Sequence, residues 1–369
     1  MQVCGAKLRR IAFPYETDDI SRVDRERRCG HYPNTHCEIV MSIATEKPVD
    51  SFEPGSNTEV IPTGTGDGHE RVDFPEAAKP IRVVWSYAIV LLAVHAVALM
   101  AVWPYLFTWS GFILAVLGHF VFGMLGVTVG YHRLLTHRGF TCPVWLEHTL
   151  ATLGMCNLQD SPARWVAIHR LHHQHSDHQP DPHTPLANFF WAHVGWVVCR
   201  HRDLDRTIHY ERYVRDLLRD PFYLRMERYS GWFFVFVAHA ILITLAGGVF
   251  GYFVGGSMSE AYRYAASWYV WAVAFRTVFV LHGTWAVNSL THVSGYRNYE
   301  TRDNSRNNWL VALWSHGEGW HNNHHAQPRA ARHGHRWWEY DMSWWVIATL
   351  EKVGLAKNVV RPKLDQVAE

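Results

Sequence analysis

Histidines at a recurring spacing are the first chemistry legible in this chain. In Arg164-Trp165-Val166-Ala167-Ile168-His169-Arg170-Leu171-His172-His173-Gln174-His175, which continues to Asp181-Pro182-His183, His169, His172 and His173 stand at i, i+3 and i+4. On a helix their imidazoles share one face. The spacing recurs at His321, His324 and His325, in Gly317-Glu318-Gly319-Trp320-His321-Asn322-Asn323-His324-His325. A third cluster, His132 and His137, frames Tyr131-His132-Arg133-Leu134-Leu135-Thr136-His137. Each imidazole offers a nitrogen lone pair near neutral pH, so such faces can converge on metal. Eight histidines exceed one ion's shell; two metals with four or five ligands each would use them. The i+5 pair lies about 140° apart on an ideal α-helix, so these two are expected to straddle a helix end. Iron, zinc and copper all accept imidazole, and spacing does not choose among them.

The elements that must position these clusters are apolar. The 369 residues are 48% hydrophobic, an average that hides polar ends and four long runs. The runs cover about Ile81 to Trp103, Ser110 to Gly130, Gly231 to Val254 and Ala266 to Ser289. Each can cross a hydrocarbon core of about 30 Å, which takes about 20 helical residues. His95, His119, His239, His282 and Arg276 lie inside the runs; bonding to a neighbouring helix is the simpler reading for each of these histidines. A formal charge of +2 argues against nucleic acid as partner. Eighteen tryptophans suit a membrane interface. Six cysteines without a CxxC pair argue against structural zinc or a redox dithiol, and are expected to stay reduced.

Connections between the runs are uneven. About 100 residues separate the second run from the third and hold two histidine clusters; the third cluster follows the fourth run. All three therefore belong on one face. That face carries Arg200, Arg202, Arg206, Arg212, Arg215 and Arg219, whereas the two short connections carry only Arg263. The asymmetry predicts a cytoplasmic cap and, with four spans, cytoplasmic termini. Pro143 to Leu158 and Leu186 to Cys199, with the tail from Trp337 to Leu355, are expected to pack at the interface. Residues 1–76 carry no secretory signal and are expected to be disordered. Met41 is a second plausible start, and we expect translation to begin there.

Together His132-Arg133-Leu134-Leu135-Thr136-His137, His169-Arg170-Leu171-His172-His173 and Gly317 to His325 resemble the three histidine boxes of the membrane fatty acyl desaturases. The stearoyl-CoA (carbon-nine) enzymes and their bacterial relatives are the nearest likeness, over about Pro80 to Asp341. Asn288-Ser289-Leu290-Thr291-His292 also matches. The resemblance implies an all-α integral membrane fold, with four transmembrane helices and a cytoplasmic helical cap. It places a membrane desaturase domain over 77–355 and a C-terminal tail over 356–369. It implies two non-haem iron ions held by His132, His137, His169, His172, His173, His292, His321, His324 and His325, with Asn288 holding a metal-bound water. With dioxygen and two electrons, such a centre converts adjacent methylenes of a saturated acyl chain to a cis double bond. Gln159, Thr284 and Trp285 lie near family positions that contact the bend of the substrate. Glu318, Asp177, Asp181 and Asp341 are candidates to accept ring N–H bonds from ligands. Arg200, Arg202 and Arg206 are candidates for a charged headgroup.

Two departures bear on substrate. Ala167 stands where animal members carry an arginine near CoA, and Gln327 replaces an aromatic residue after the third box. Acyl-CoA, acyl-lipid and carrier-protein esters therefore stay open. No electron-carrying module follows Asp341, so a separate donor such as a ferredoxin or a cytochrome b5-like protein is expected. A membrane hydroxylase or alkane monooxygenase could use a similar centre. A haem-binding electron carrier or metal transporter using His95, His119, His239 and His282 is the more distant alternative, since most histidines lie beyond the spans.

Overall fold

A computed structural model of the protein describes residues 71–366. The expected start at Met41 and most of the expected disordered stretch, 1–76, lie outside the described residues. Of that stretch's last residues, Phe74 packs edge-on against Trp191. Among the described residues there are helices and isolated bridges, such as Val83 with Cys199, but no β-strand.

Four helices are long and apolar enough to cross a membrane: α1 (Trp85–Val102), α2 (Trp109–Thr136), α5 (Gly231–Gly255) and α6 (Met258–His292). Between α2 and α5 lie α3 (Val144–Met155) and α4 (Pro162–His175); after α6 come α7 (Trp309–Trp314), α8 (His321–Ala326) and α9 (Met342–Lys352). The starts of several follow local chemistry. Thr108 caps α2 by accepting from the Gly111 N–H, and Ser257 caps α6 by accepting from Glu260. Ser161 caps α4, with Pro162 at its first position.

Two spans outrun the apolar stretches that announced them. The second run was expected to end near Gly130 and the fourth near Ser289, but the helices continue to Thr136 and His292. Burial explains the difference. The extra residues are enclosed by the cap rather than by lipid, so they are polar and still helical; His132, Arg133, Thr136, Thr291 and His292 are all buried. From His119 to Thr136 the ladder of α2 is π-helical, the i→i+5 form. Its last bond runs from His137 N to His132 O, at 3.2 Å.

The stretch expected as an interfacial helix near Pro143 is α3, seated on α2. A Cβ on Gly126 would lie 2.4 Å from Gly154 N, so the two backbones meet with nothing between them. The tail beyond 355 is tied in: Lys357 exchanges backbone bonds with Thr141, Val360 N donates to Gly139 O, and Val360 O accepts from Ala331 N.

Candidate metal centre

The cap helices and the ends of α2 and α6 bring nine imidazoles together. His132, His137, His169, His173 and His324 form one group; His172, His292, His321 and His325 form a second. Within each group the nearest ring nitrogens all lie within 4.8 Å of one another. Every histidine predicted as a ligand is in one of the two. α4 splits its triplet, since His169 and His173 (i, i+4) face the first group while His172 faces the second. α8 splits likewise, with His324 in the first and His321 and His325 in the second.

His132 and His137 straddle the end of α2 as expected, His132 within the last turn and His137 capping it after Thr136, but not at a wide angle. Their ring centroids are 4.8 Å apart, because the i→i+5 ladder brings residues five apart onto one side.

Four rings are oriented by carboxylates. His132 Nδ1 is 2.5 Å from Glu318 Oε2, and His172 Nδ1 is 3.0 Å from both Asp181 oxygens. His292 Nδ1 is 2.9 Å from Asp177 Oδ2, and His325 Nδ1 is 2.6 Å from Asp303 Oδ2. An ionised carboxylate only accepts, so each Nδ1 carries the proton and each Nε2 is left with its lone pair. Asp303 was not anticipated; nothing in its spacing ties it to a histidine box. Asp341 was expected to support a ligand and does not. It caps α9 at Trp344 N, accepts from His333 N, and receives Arg133 Nη1 at 2.9 Å. Arg133 in turn holds Glu318, so Asp341 reaches His132 only through two intervening residues. His333, also unanticipated, places Nδ1 3.1 Å from Glu318.

Electrostatics match the geometry. Burial, reinforced by neighbouring imidazoles, pushes His137, His169, His172, His173, His321 and His324 well below the usual histidine range, so they are neutral. Burial alone would raise the carboxyls. For Asp181 it wins, lifting the group to about 6. For Glu318 the Arg133 guanidinium and the bond from His132 prevail, and for Asp303 the His325 contact does, holding both well below the carboxylate range.

Lone pairs facing one another test whether metal fits. His132 and His324 Nε2 are 3.1 Å apart, His169 and His173 Nε2 are 3.0 Å, His173 and His324 Nε2 are 2.9 Å, and His292 and His321 Nε2 are 3.1 Å. Nitrogens bonded to one ion at about 2 Å stand about 3 Å from each other. His137, His172 and His325 also leave Nε2 buried without a partner. Neutral donors at this separation, with carboxylates behind them, fit two cations.

The remaining predicted residues line two cavities that meet beside the first group. One, with about 780 Å³ of open space, is lined by Tyr87, Arg164, Gln159, Trp285 and Leu281 among others; the second, about 520 Å³, lies between α2 and α6. Trp165, His169, Thr284 and Asn288 border both. Gln159 Nε2 donates to Thr284 Oγ1 at 3.0 Å, and its Oε1 accepts from Trp165 Nε1 at 3.2 Å. Asn288 stands in the wall shared by the two cavities. Arg200 is paired with Asp205, and Arg202 donates to Glu76 O; the guanidinium in the cavity wall is Arg164, which the sequence did not suggest.

His95, His239 and His282 do bond between helices. His95 meets His282 at 3.2 Å, His282 meets His193 at 3.0 Å, and His239 accepts from Arg276.

Among the described residues, helices long and apolar enough to cross a membrane beneath two buried histidine groups that could hold metal are the marks of a class of membrane oxidoreductase, and comparison with known proteins gives the chain a family. The family model for fatty acid desaturase matches residues 107–359, and the chain belongs to that family. It is 40% identical over 286 residues to the sn-1 stearoyl-lipid 9-desaturase of Anabaena variabilis, covering 77% of this chain and 96% of the relative. It is 38% identical over 287 residues to the sn-2 palmitoyl-lipid 9-desaturase of Nostoc sp. strain 36, covering 78% and 93%. Identity to the icosanoyl-CoA 5-desaturase of Limnanthes douglasii is 38% over 320 residues, covering 86% and 82%.

Proposed function

We propose that the protein introduces a cis double bond, at carbon nine, into a saturated acyl chain. Two iron ions are held by the five- and four-histidine groups. When bound, they supply the oxidising power that, with dioxygen and two electrons, removes hydrogen from adjacent methylenes. The observation that carries the reading is the pair of cavities that share Trp165, His169, Thr284 and Asn288, one of them also lined by His132.

The chain's own residues do three things in this scheme. Glu318, Asp177, Asp181 and Asp303 fix ring tautomers and offset cationic charge left uncompensated by neutral ligands. Gln159, Thr284 and Trp165 lock the corner where the cavities join, and so set which methylenes lie beside the ligands; Trp285 walls the approach and Asn288 holds a water toward the second group. Trp165, stacked on His169 with centroids 5.1 Å apart, shields the centre from water.

An acyl lipid is the favoured ester, supported by the lipid substrates in the names of the cyanobacterial relatives and by Ala167; acyl-CoA is the second. Electrons come from a separate ferredoxin or cytochrome b5-like donor. The arginine-rich cap faces the cytoplasm, with both termini.

Expression in a host lacking unsaturated fatty acids, followed by mass spectrometry of its lipids, is the test. A monounsaturated chain is expected, with about two irons per purified polypeptide. An alcohol without alkene would instead establish the hydroxylase reading, which the same metal geometry permits.

A further inference from the structure

The cavity between α2 and α6 runs away from the shared corner toward a polar end that the desaturation chemistry does not use. Its wall follows one face of α2, from His132 through Val127 and Gly123 to His119, and crosses to Val280, Gly283 and Val287. Such a surface suits methylenes. At its far end, however, stand His119 and His316, rings 4.2 Å apart. His119 Nε2 faces the Trp314 carbonyl at 3.1 Å and must donate to it, leaving Nδ1 as an acceptor; that Nδ1 is buried without a partner. His316 is 2% exposed; neither ring nitrogen makes a well-formed hydrogen bond, and its one polar approach is to the His119 backbone. Burial keeps it neutral, down to about 3, so it presents one donor and one acceptor. Other polar groups here are satisfied: Ser315 Oγ donates to Val311 O, Thr128 Oγ1 to Met124 O, and Thr284 Oγ1 to Val280 O. His316 is also held at φ +58°, a left-handed conformation that a histidine adopts only where its surroundings impose it.

Orphaned imidazole nitrogens in an otherwise apolar cavity are costly unless something bonds them. A hydroxyl oxygen answers both needs, since it donates to His119 Nδ1 and exchanges a bond with His316. We propose that His119 and His316 form a hydroxyl-binding subsite at the far end of the acyl cavity. Its occupant is a water when the chain ends in a methyl group, and the chain's own terminal hydroxyl when the substrate is ω-hydroxylated. The protein therefore accepts ω-hydroxyacyl chains, which an all-apolar end would reject. This rests on the acyl-chain reading of the cavity above.

Competition against a fluorescent fatty acid, with the full-length protein in nanodiscs, tests it without turnover. Displacement by palmitate establishes the acyl site; if palmitate fails, the acyl reading of the cavity fails first. Given that control, ω-hydroxypalmitate should bind about tenfold more tightly than palmitate if its hydroxyl takes the site directly. The preference should vanish in His316→Leu and in His119→Phe. If water keeps the site instead, the two ligands bind alike in the parent, a density map shows an ordered oxygen between the rings, and His316→Leu strengthens palmitate binding. Equal binding in parent and both variants, with no oxygen between the rings, overturns the subsite. His316→Gln, which keeps a donor and an acceptor, should restore the preference and so separates hydrogen bonding from packing.

Discussion

His172 shows how one side chain ties chemistry to support. Its Nε2 is buried without a partner while its Nδ1 rests on Asp181, so truncation removes a proposed ligand and takes from Asp181 its imidazole partner, leaving it the Asp177 and His183 N–H groups. His172→Ala is expected to abolish desaturation while the protein still inserts in membranes; full activity in a lipid assay would exclude it from the metal shell. Asp303 was invisible in the sequence, because a carboxylate reaching His325 from 22 residues away carries no spacing signal. Asp303→Asn should weaken iron binding by about 10–100-fold, read by chelator competition. Iron affinity unchanged in that variant would make Asp303 a bystander. The histidines, by contrast, were legible because i, i+3, i+4 spacing states a shared face directly.

At the scale of elements, α2 decides the site. A π-helical ladder aligns His132 with His137, and α3 sits close enough to hold the α2 backbone in place. Gly126→Ala would drive a methyl group into the Gly154 backbone, 2.4 Å away. Overpacking of this kind costs about 1–3 kcal/mol, and a lowered unfolding temperature in detergent with reduced iron content is the expected result. α8 is fixed differently. Asn322 Oδ1 accepts from the backbones of Asn298 and Tyr299, and Asn323 bridges His333 O and Glu339. These two asparagines between the box histidines are structural anchors, a role that composition alone does not disclose.

Across the whole molecule, the buried imidazoles couple folding to pH. His169, His172, His173, His321 and His324 are held neutral, and His333 and His335 fall to about 4. Below about pH 6.5 the unfolded chain takes up protons that the folded one refuses. Stability is therefore lost as pH falls from 6.5 toward the lower folded values, by up to about 1.4 kcal/mol per pH unit for each such group. Unfolding temperature measured from pH 8 to pH 5 should fall steadily below 6.5; a flat profile would mean the rings take up protons in the fold as readily as in the unfolded chain. By itself, the sequence determined the four apolar runs, the single face on which all three boxes emerge, and the identity of eight histidines; the ninth, His292, came only with the family resemblance. The runs and the eight follow from apolar run length and helical spacing, which are local. The division into five and four rings, the roles of Asp303, His333 and Arg164, and the wall shared by the two cavities were decided only by tertiary structure. Each depends on side chains from distant segments meeting in a pocket that excludes water, and no local pattern records which segments will meet.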